Sequence, residues 1–240
     1  MNSEQLTEEQ IAEILQQCKF ALLSGEPVDL RRLGFWRAVR AVKLHPEWNE
    51  QFAESIGEVD RAAFLRRVQP VYPVALGAAL LGTGTALGIG LLAETFDVPR
   101  PWRGLTLLAG AATLLGATHG LTHFLVGKLA GMSFVGWFLN GPLKVEPSLK
   151  IDEASYLKTP PRQRAWMHAS GAIVTKLVPF ACLGVGAAAR VPAWTKAILT
   201  IIGVVQVATD VLFSTKNGDW SRFSREMRVA DKITDPSAAS

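Results

Sequence analysis

Charged residues are missing from long parts of this 240-residue chain. Asp, Glu, Lys and Arg are absent from residues 68–93 and 104–127, and nearly absent from residues 165–189, apart from Lys176, and 197–215, apart from Asp210. Each segment is long enough to cross about 30 Å of hydrocarbon as a helix that rises ~1.5 Å per residue. We therefore predict four transmembrane helices, over about residues 71–93, 104–127, 166–189 and 197–214.

Cysteine and histidine are also scarce, and this narrows the possible functions. The two cysteines, Cys18 and Cys182, fall in different compartments of the predicted topology, so we expect no disulfide. Four histidines are too few for the several histidine boxes of a di-iron membrane desaturase. The glycine-rich residues 82–90 lie inside a predicted span, which indicates helix packing and not a phosphate-binding loop. The spans hold too few polar residues for a channel, and we expect no cleaved signal peptide.

Lys and Arg are unevenly distributed between the predicted spans. Nine precede the first span, six lie in residues 128–164, five follow residue 215, and the two remaining connections hold two each. Because cytoplasmic segments are enriched in these residues, both termini and the long central loop are predicted to be cytoplasmic. The pI of about 9.2 follows from this asymmetry and gives no reason to expect a nucleic-acid partner. We expect an integral protein of the bacterial inner (plasma) membrane or an equivalent bilayer.

The segments outside the spans predict smaller elements. Residues 1–67 carry apolar residues at helical spacing and a capping box of Thr7 and Gln10, which predicts a cytoplasmic helical cap with later helices over residues 28–44 and 46–68. Residues 68–215 would then form the membrane domain, and residues 216–240 a polar, basic cytoplasmic tail.

The central loop is unusual because residues 129–143 are uncharged and rich in glycine and aromatic residues. Such a run cannot leave its backbone unpaired in lipid, so we predict a Gly-rich, hairpin-like loop. The predicted fold class is an all-α polytopic membrane protein of four transmembrane helices, with the N-terminal cap and this loop added to it.

His119 and His123 lie four residues apart in the second predicted span, so they share one helix face and can bind one metal ion. By helix rise, His123, His168 and Asp210 lie within about 6–9 Å of the predicted cytoplasmic ends of their spans. Nitrogen and carboxylate ligands in this number match a zinc site. Ionisable side chains inside membrane helices indicate a functional site by default.

Two alternatives require no metal. The histidine pair could hydrogen-bond to neighbouring helices, and an unliganded histidine such as His168 is ordinary at a membrane interface. Asp210 could pair with Lys176, the other charge within the spans, because a long lysine side chain can reach towards it. An ion pair of Asp210 with Lys176 is the main alternative to metal ligation by Asp210.

Three stretches together resemble the site-2 protease family of intramembrane zinc metalloproteases, over roughly residues 105–220. HGLTHFLVGKLAGMSF stands in place of the family's His-Glu-x-x-His helix and glycine turn, RQRAWMHASGAIVTKL in place of its Arg and small-residue helix, and ATDVLF in place of its Leu-Asp-Gly segment. The resemblance implies a zinc cofactor bound by His119, His123 and Asp210. Residues expected around these ligands, without binding the metal, are His168, Thr175 and Lys176.

The chain departs from the family pattern at three positions. Gly120 stands where the family has its general-base glutamate, and a positioned base is worth about 10²–10⁴-fold in rate. Thr175 replaces the family's Asn, and Val211 replaces the Gly after the aspartate. We therefore expect no catalytic residue, and a protein that binds membrane segments of a partner protein or single-span substrate without cleaving them. The alternatives are an active metalloprotease with an unorthodox base and a metal-free structural subunit of a membrane complex.

Overall fold

The computed structural model describes residues 6–25, 28–140, 146–214 and 218–234. The helices are α1 Glu8–Leu23, α2 Phe35–Leu44, α3 Asn49–Arg67, α4 Val74–Glu94, α5 Arg100–Leu129, α6 Glu153–Lys158, α7 Pro161–Ala188, α8 Ala193–Thr209 and α9 Asp219–Thr234. Two strands, β1 Phe134–Asn140 and β2 Glu146–Ile151, lie between α5 and α6. The chain forms two compact units, which are described in turn.

One unit contains the described residues of Met1–Pro73, Ala130–Arg164 and Glu226–Ser240. Its apolar core joins α1, α2, α3 and α6 through the buried side chains Ile11, Leu15, Phe35, Val39, Phe52, Ile56 and Leu157. The predicted capping box is confirmed, because the Thr7 hydroxyl accepts from the Gln10 amide and the Gln10 side chain accepts from the Thr7 amide. These bonds satisfy two backbone donors that the first turn of α1 leaves without a helical partner.

The predicted second helix over residues 28–44 is wrong at its start. The Asp29 carboxylate accepts a hydrogen bond from the Arg31 amide at 3.0 Å, which stabilises a turn at the expense of a helix. Gly34 then has φ +82°, a left-handed conformation that suits glycine, and α2 begins at Phe35. The third predicted helix is a 3₁₀ turn over Pro46–Trp48 followed by α3.

The two strands form an antiparallel pair in which Trp137 faces Leu149. The backbone of Tyr72 also pairs with Trp137 on the other edge of β1, with N···O distances of 2.7 and 3.0 Å. A Cβ atom on Gly136 would lie 2.8 Å from the Tyr72 carbonyl oxygen, so this edge needs a glycine. The part of the predicted loop from residue 141 onwards lies outside the described residues.

This unit also buries a set of charges, the buried charge cluster of Lys43, Glu153, Tyr156, Arg164 and Glu226. Arg164 Nε lies 2.8 Å from Glu226 Oε2, and the two residues are 1% and 2% exposed. Lys43 Nζ lies 3.1 Å from Glu226 Oε1 and 3.9 Å from Glu153 Oε1. The Tyr156 ring lies beside both cations, with its centroid 4.5 Å from Lys43 Nζ and 5.2 Å from Arg164 Cζ. Burial raises the pKa of both Glu153 and Tyr156.

The other unit contains Val74–Leu129 and the described residues of Ala165–Arg225. Four helices in the described chain are long and apolar enough to cross a membrane: Val74–Glu94, Arg100–Leu129, Pro161–Ala188 and Ala193–Leu212. The prediction of four spans is therefore confirmed by length and composition, and each predicted boundary lies within a few residues of a helix end. These helices fit a membrane-embedded protein.

Small residues allow the first two spans to pack closely. A Cβ atom on Gly88 would lie 2.7 Å from Leu114 Cγ, and one on Gly110 would lie 2.9 Å from Leu92 Cδ2. Close approach through glycine is the usual way in which membrane helices gain packing contacts, because lipid provides no hydrophobic drive for their association. The packing fixes α5, the helix that carries the histidine pair.

Candidate metal centre

Helix α5 presents His119 and His123 on one face, one turn apart. The Thr118 and Thr122 hydroxyls donate to the carbonyls of Leu114 and Thr118, at 2.7 and 2.6 Å, so these neighbouring polar groups are satisfied within the helix. The histidine rings are almost perpendicular, with 86° between their planes. Their Nε2 atoms face each other at a distance of 3.2 Å.

The third member of the group is Asp219, the first residue of α9. Its Oδ2 atom lies 3.3 Å from His123 Nε2 and 3.5 Å from His119 Nε2. Gly218, immediately before it, has φ +147°. Burial alone would raise the pKa of Asp219, but protonated His123 and His119, in the absence of a metal, lower it together with Arg222. The carboxylate is therefore ionised at neutral pH.

The three ligand atoms have the spacing of a zinc site. Zinc bonds of about 2.0–2.1 Å in a tetrahedron place neighbouring ligand atoms about 3.3–3.4 Å apart. The observed edges are 3.2, 3.3 and 3.5 Å. Two imidazoles and one carboxylate are also a donor set that zinc accepts with one position left open. The residues present therefore fit a zinc ion, and they are the group of potential metal ligands found among the described residues.

Helix α7 orients the histidines. The Met167 carbonyl accepts a hydrogen bond from His123 Nδ1 at 2.7 Å, which places a proton on Nδ1, so the neutral ring directs its Nε2 lone pair at the site. Gly171 is a backbone hydrogen-bond partner of His119. A Cβ atom on Gly171 would lie 2.4 Å from His123 Nε2, so α7 can approach the pair this closely only with glycine at that position.

The structure brings together two of the three predicted ligands and gives the third a different environment. His119 and His123 are in the group, whereas Asp210 forms an ion pair with Lys176. Asp210 Oδ2 also accepts a hydrogen bond from Trp220 Nε1 at 2.7 Å. The ion pair is the arrangement that the metal-free alternative predicts. Here it occurs in the same unit as His119, His123 and Asp219, which we call the histidine–aspartate group.

Asp219 is the site residue that the sequence analysis missed. The available signal is the Asn-Gly-Asp run that follows the fourth span, because Asn-Gly predicts a turn and Asp219 is the first acidic residue after it. The run lies after the apolar segment, outside the predicted fourth span.

The three residues predicted to surround the ligands, Thr175, His168 and Lys176, all lie on α7 but have different environments. The Thr175 hydroxyl donates to the carbonyls of Gly171 and Ala172 in its own helix, at 2.9 and 3.1 Å. His168 is buried, 7% exposed, on α7. Lys176 is the partner of Asp210. Lys176 is therefore in direct contact with a predicted ligand, Asp210.

Comparison of the chain with protein-family models, with curated proteins and with solved structures found no match. The resemblance to site-2 proteases therefore stays a prediction from the quoted residues.

Proposed function

We propose that the chain is an integral membrane zinc protein in which His119, His123 and Asp219 bind the metal at the cytoplasmic side of the spans. The observation that carries the proposal is the triangle of ligand atoms with edges of 3.2, 3.3 and 3.5 Å. Zinc held there would supply a Lewis acid with one open coordination position. The resemblance to site-2 proteases and the Lys and Arg asymmetry support the cytoplasmic, inner-membrane placement.

The preferred role is binding of a membrane segment of a partner protein, without proteolysis. Gly120 cannot act as a general base, and Asp219 is already engaged with both histidines. A hydrolase without a positioned base forgoes about 10²–10⁴-fold in rate. Exposed apolar residues on α8, such as Ile201 and Val204, give the spans a surface suited to lipid or to an apolar helix of a partner.

Metal analysis of the full-length, detergent-purified protein tests the proposal. We expect about one zinc per chain in the wild type and none in His119→Ala or Asp219→Ala, because each change removes a ligand. Asp231→Ala is the matched control, since Asp231 is an exposed aspartate on the same helix as Asp219. Well-folded wild-type protein that binds no zinc when zinc is supplied would contradict the proposal and leave a structural role.

An active intramembrane metalloprotease is the second candidate, and the open coordination position favours it. Three protein ligands and one open position are the pattern of catalytic zinc sites, whereas structural sites have four protein ligands. The test is cleavage of a single-span reporter protein co-expressed with the chain. Cleavage that disappears in His119→Ala and persists in Asp231→Ala would establish this candidate in place of the binding role.

A further inference from the structure

Two opposite charges lie within the candidate spans and contact each other. Lys176 on α7 pairs with Asp210, which follows α8 and begins a π-helical turn over Asp210–Ser214. Both side chains are 21% exposed. Charged side chains in membrane helices are costly and are retained where they serve a site. We therefore expect the Lys176–Asp210 pair to support a functional site in addition to neutralising its own charges.

Asp210 has a second partner that leads to the metal centre. Its Oδ2 atom accepts the indole N–H of Trp220 at 2.7 Å, and Trp220 is the residue directly after Asp219. The Trp220 ring packs edge-on against Phe223, with 5.7 Å between centroids, and Phe223 packs against Trp166 of α7 at 5.4 Å. On the other side of Asp219 stands Gly218, which has no side chain to hold the backbone.

We propose that Lys176, Asp210 and Trp220 form a brace that positions the Asp219 carboxylate at His119 and His123. The inference rests on the proposed zinc site and assigns Asp210 the role of a positioning residue instead of a ligand. Trp220 fixes the backbone next to Asp219, and Asp210 fixes Trp220. Lys176 neutralises Asp210, which keeps this second carboxylate from competing for the metal. Partners outside the ligand set typically contribute 10- to 100-fold to metal affinity.

The test is the zinc affinity of the full-length protein in detergent, measured by competition with a chromogenic chelator. Trp220→Phe keeps the aromatic ring and removes the N–H donor, and we expect it to weaken zinc binding about 10- to 100-fold. Trp102→Phe is the matched control, because Trp102 is 60% exposed near the start of α5. It should leave the affinity unchanged.

A second variant and a second measurement separate positioning from a structural role. Asp210→Asn should weaken zinc binding over the same range and less than Asp219→Ala, and it should alter the visible spectrum of the cobalt-substituted protein. The melting temperature in chelator should fall somewhat, because Lys176 loses its counter-charge. The further rise in melting temperature on adding zinc should also be smaller than in the wild type, which a purely structural role of Asp210 would not cause. These readouts apply to Asp210→Asn even if Trp220→Phe does not fold.

The outcomes distinguish the two proposals. Wild-type protein without zinc overturns the proposed function. Wild-type protein that binds zinc, with both variants binding it equally well, overturns the brace alone. A loss in Asp210→Asn as complete as in Asp219→Ala also overturns the brace, because it would make Asp210 a ligand. A lowered melting temperature in chelator with unchanged zinc affinity would show that the contacts only stabilise the fold.

Discussion

The buried charge cluster and the histidine–aspartate group are both made of ionisable side chains, but they differ in how their charges are matched. In the buried charge cluster, the cations Lys43 and Arg164 face the carboxylates Glu153 and Glu226. In the histidine–aspartate group, two imidazole Nε2 atoms and one carboxylate oxygen face one another. The buried charge cluster contains its own counter-charges. The histidine–aspartate group instead brings together three atoms that can each donate a lone pair.

The difference indicates that the buried charge cluster contributes to stability and that the histidine–aspartate group is the candidate functional site. Removing one partner of a buried ion pair leaves the other charge buried without compensation, which destabilises the fold. Three converging lone pairs gain most from a cation placed between them, and such a cation comes from solution as a proton or a metal ion. The buried charge cluster therefore carries its own counter-charges, whereas the histidine–aspartate group would gain its counter-charge by binding a cation.

The largest effect is expected from Gly171→Ala, which tests whether the histidine pair needs its close approach to α7. The new Cβ atom would lie 2.4 Å from the ligand atom His123 Nε2, so the ring must leave its position. We expect zinc affinity to fall by more than the roughly 100-fold that changes around a metal site cost, measured by metal analysis and chelator competition.

Gly184→Ala is the matched control for this change, because Gly184 lies on the same helix with nothing within 4 Å of the added Cβ. It should keep full zinc binding. Both changes replace glycine by alanine and so raise helix propensity equally. A difference in stability between the two variants therefore measures the steric clash of the new Cβ atom with His123. Full zinc occupancy in Gly171→Ala would show that the histidine geometry does not govern binding.

The second prediction concerns the buried charge cluster. Glu226→Gln leaves Arg164 buried without its counter-charge, and breaking a buried pair from one side costs about 3–5 kcal/mol. The free energy of unfolding, from chemical denaturation in detergent, should fall by that amount. Glu58→Gln is the control, because the Lys19–Glu58 pair is solvent-exposed and contributes little. Equal stability of both variants would show that the cluster is not needed for the fold.

The sequence predicts the local features of this molecule well. Runs without charge locate the four candidate spans, the Thr7–Gln10 spacing locates the start of α1, and the i, i+4 spacing pairs His119 with His123. The Lys176–Asp210 contact could also be anticipated, because these are the two charges within the spans. Each of these signals depends on spacing along a helix or on the composition of one segment.

Contacts between distant segments could not be predicted in this way. Asp219 meets His123 across 96 residues, after a turn at Gly218 whose direction the sequence does not specify. Lys43 meets Glu226 across 183 residues, and both look like ordinary surface charges on amphipathic helices. The sequence therefore indicates the two candidate ligands that lie on one helix, but not the candidate ligand that a second helix supplies.

The smallest effect, and the sharpest way to separate the two charged sets, is the dependence of stability on pH. Burial alone would raise the pKa of Glu226, but the charges of Lys43 and Arg164 outweigh it and lower the pKa. Such a group stabilises the fold above its unfolded pKa of about 4.3, and this contribution is lost as pH falls through the lower folded value. The buried charge cluster should therefore weaken below about pH 4.

Thermal unfolding from pH 7 to pH 3 in the presence of chelator measures this loss without any contribution from bound zinc. We expect the wild-type melting temperature to fall below about pH 4 and the profile of Glu226→Gln to be flatter there, because the variant has no carboxyl group to protonate. Asp152, whose pKa is lowered by Arg61 and Ser155 against the effect of burial, should leave a residual slope in both proteins. Parallel profiles would mean that Lys43 and Arg164 do not lower the pKa of Glu226 in the folded protein. They would contradict the interpretation of the cluster as a set of paired charges.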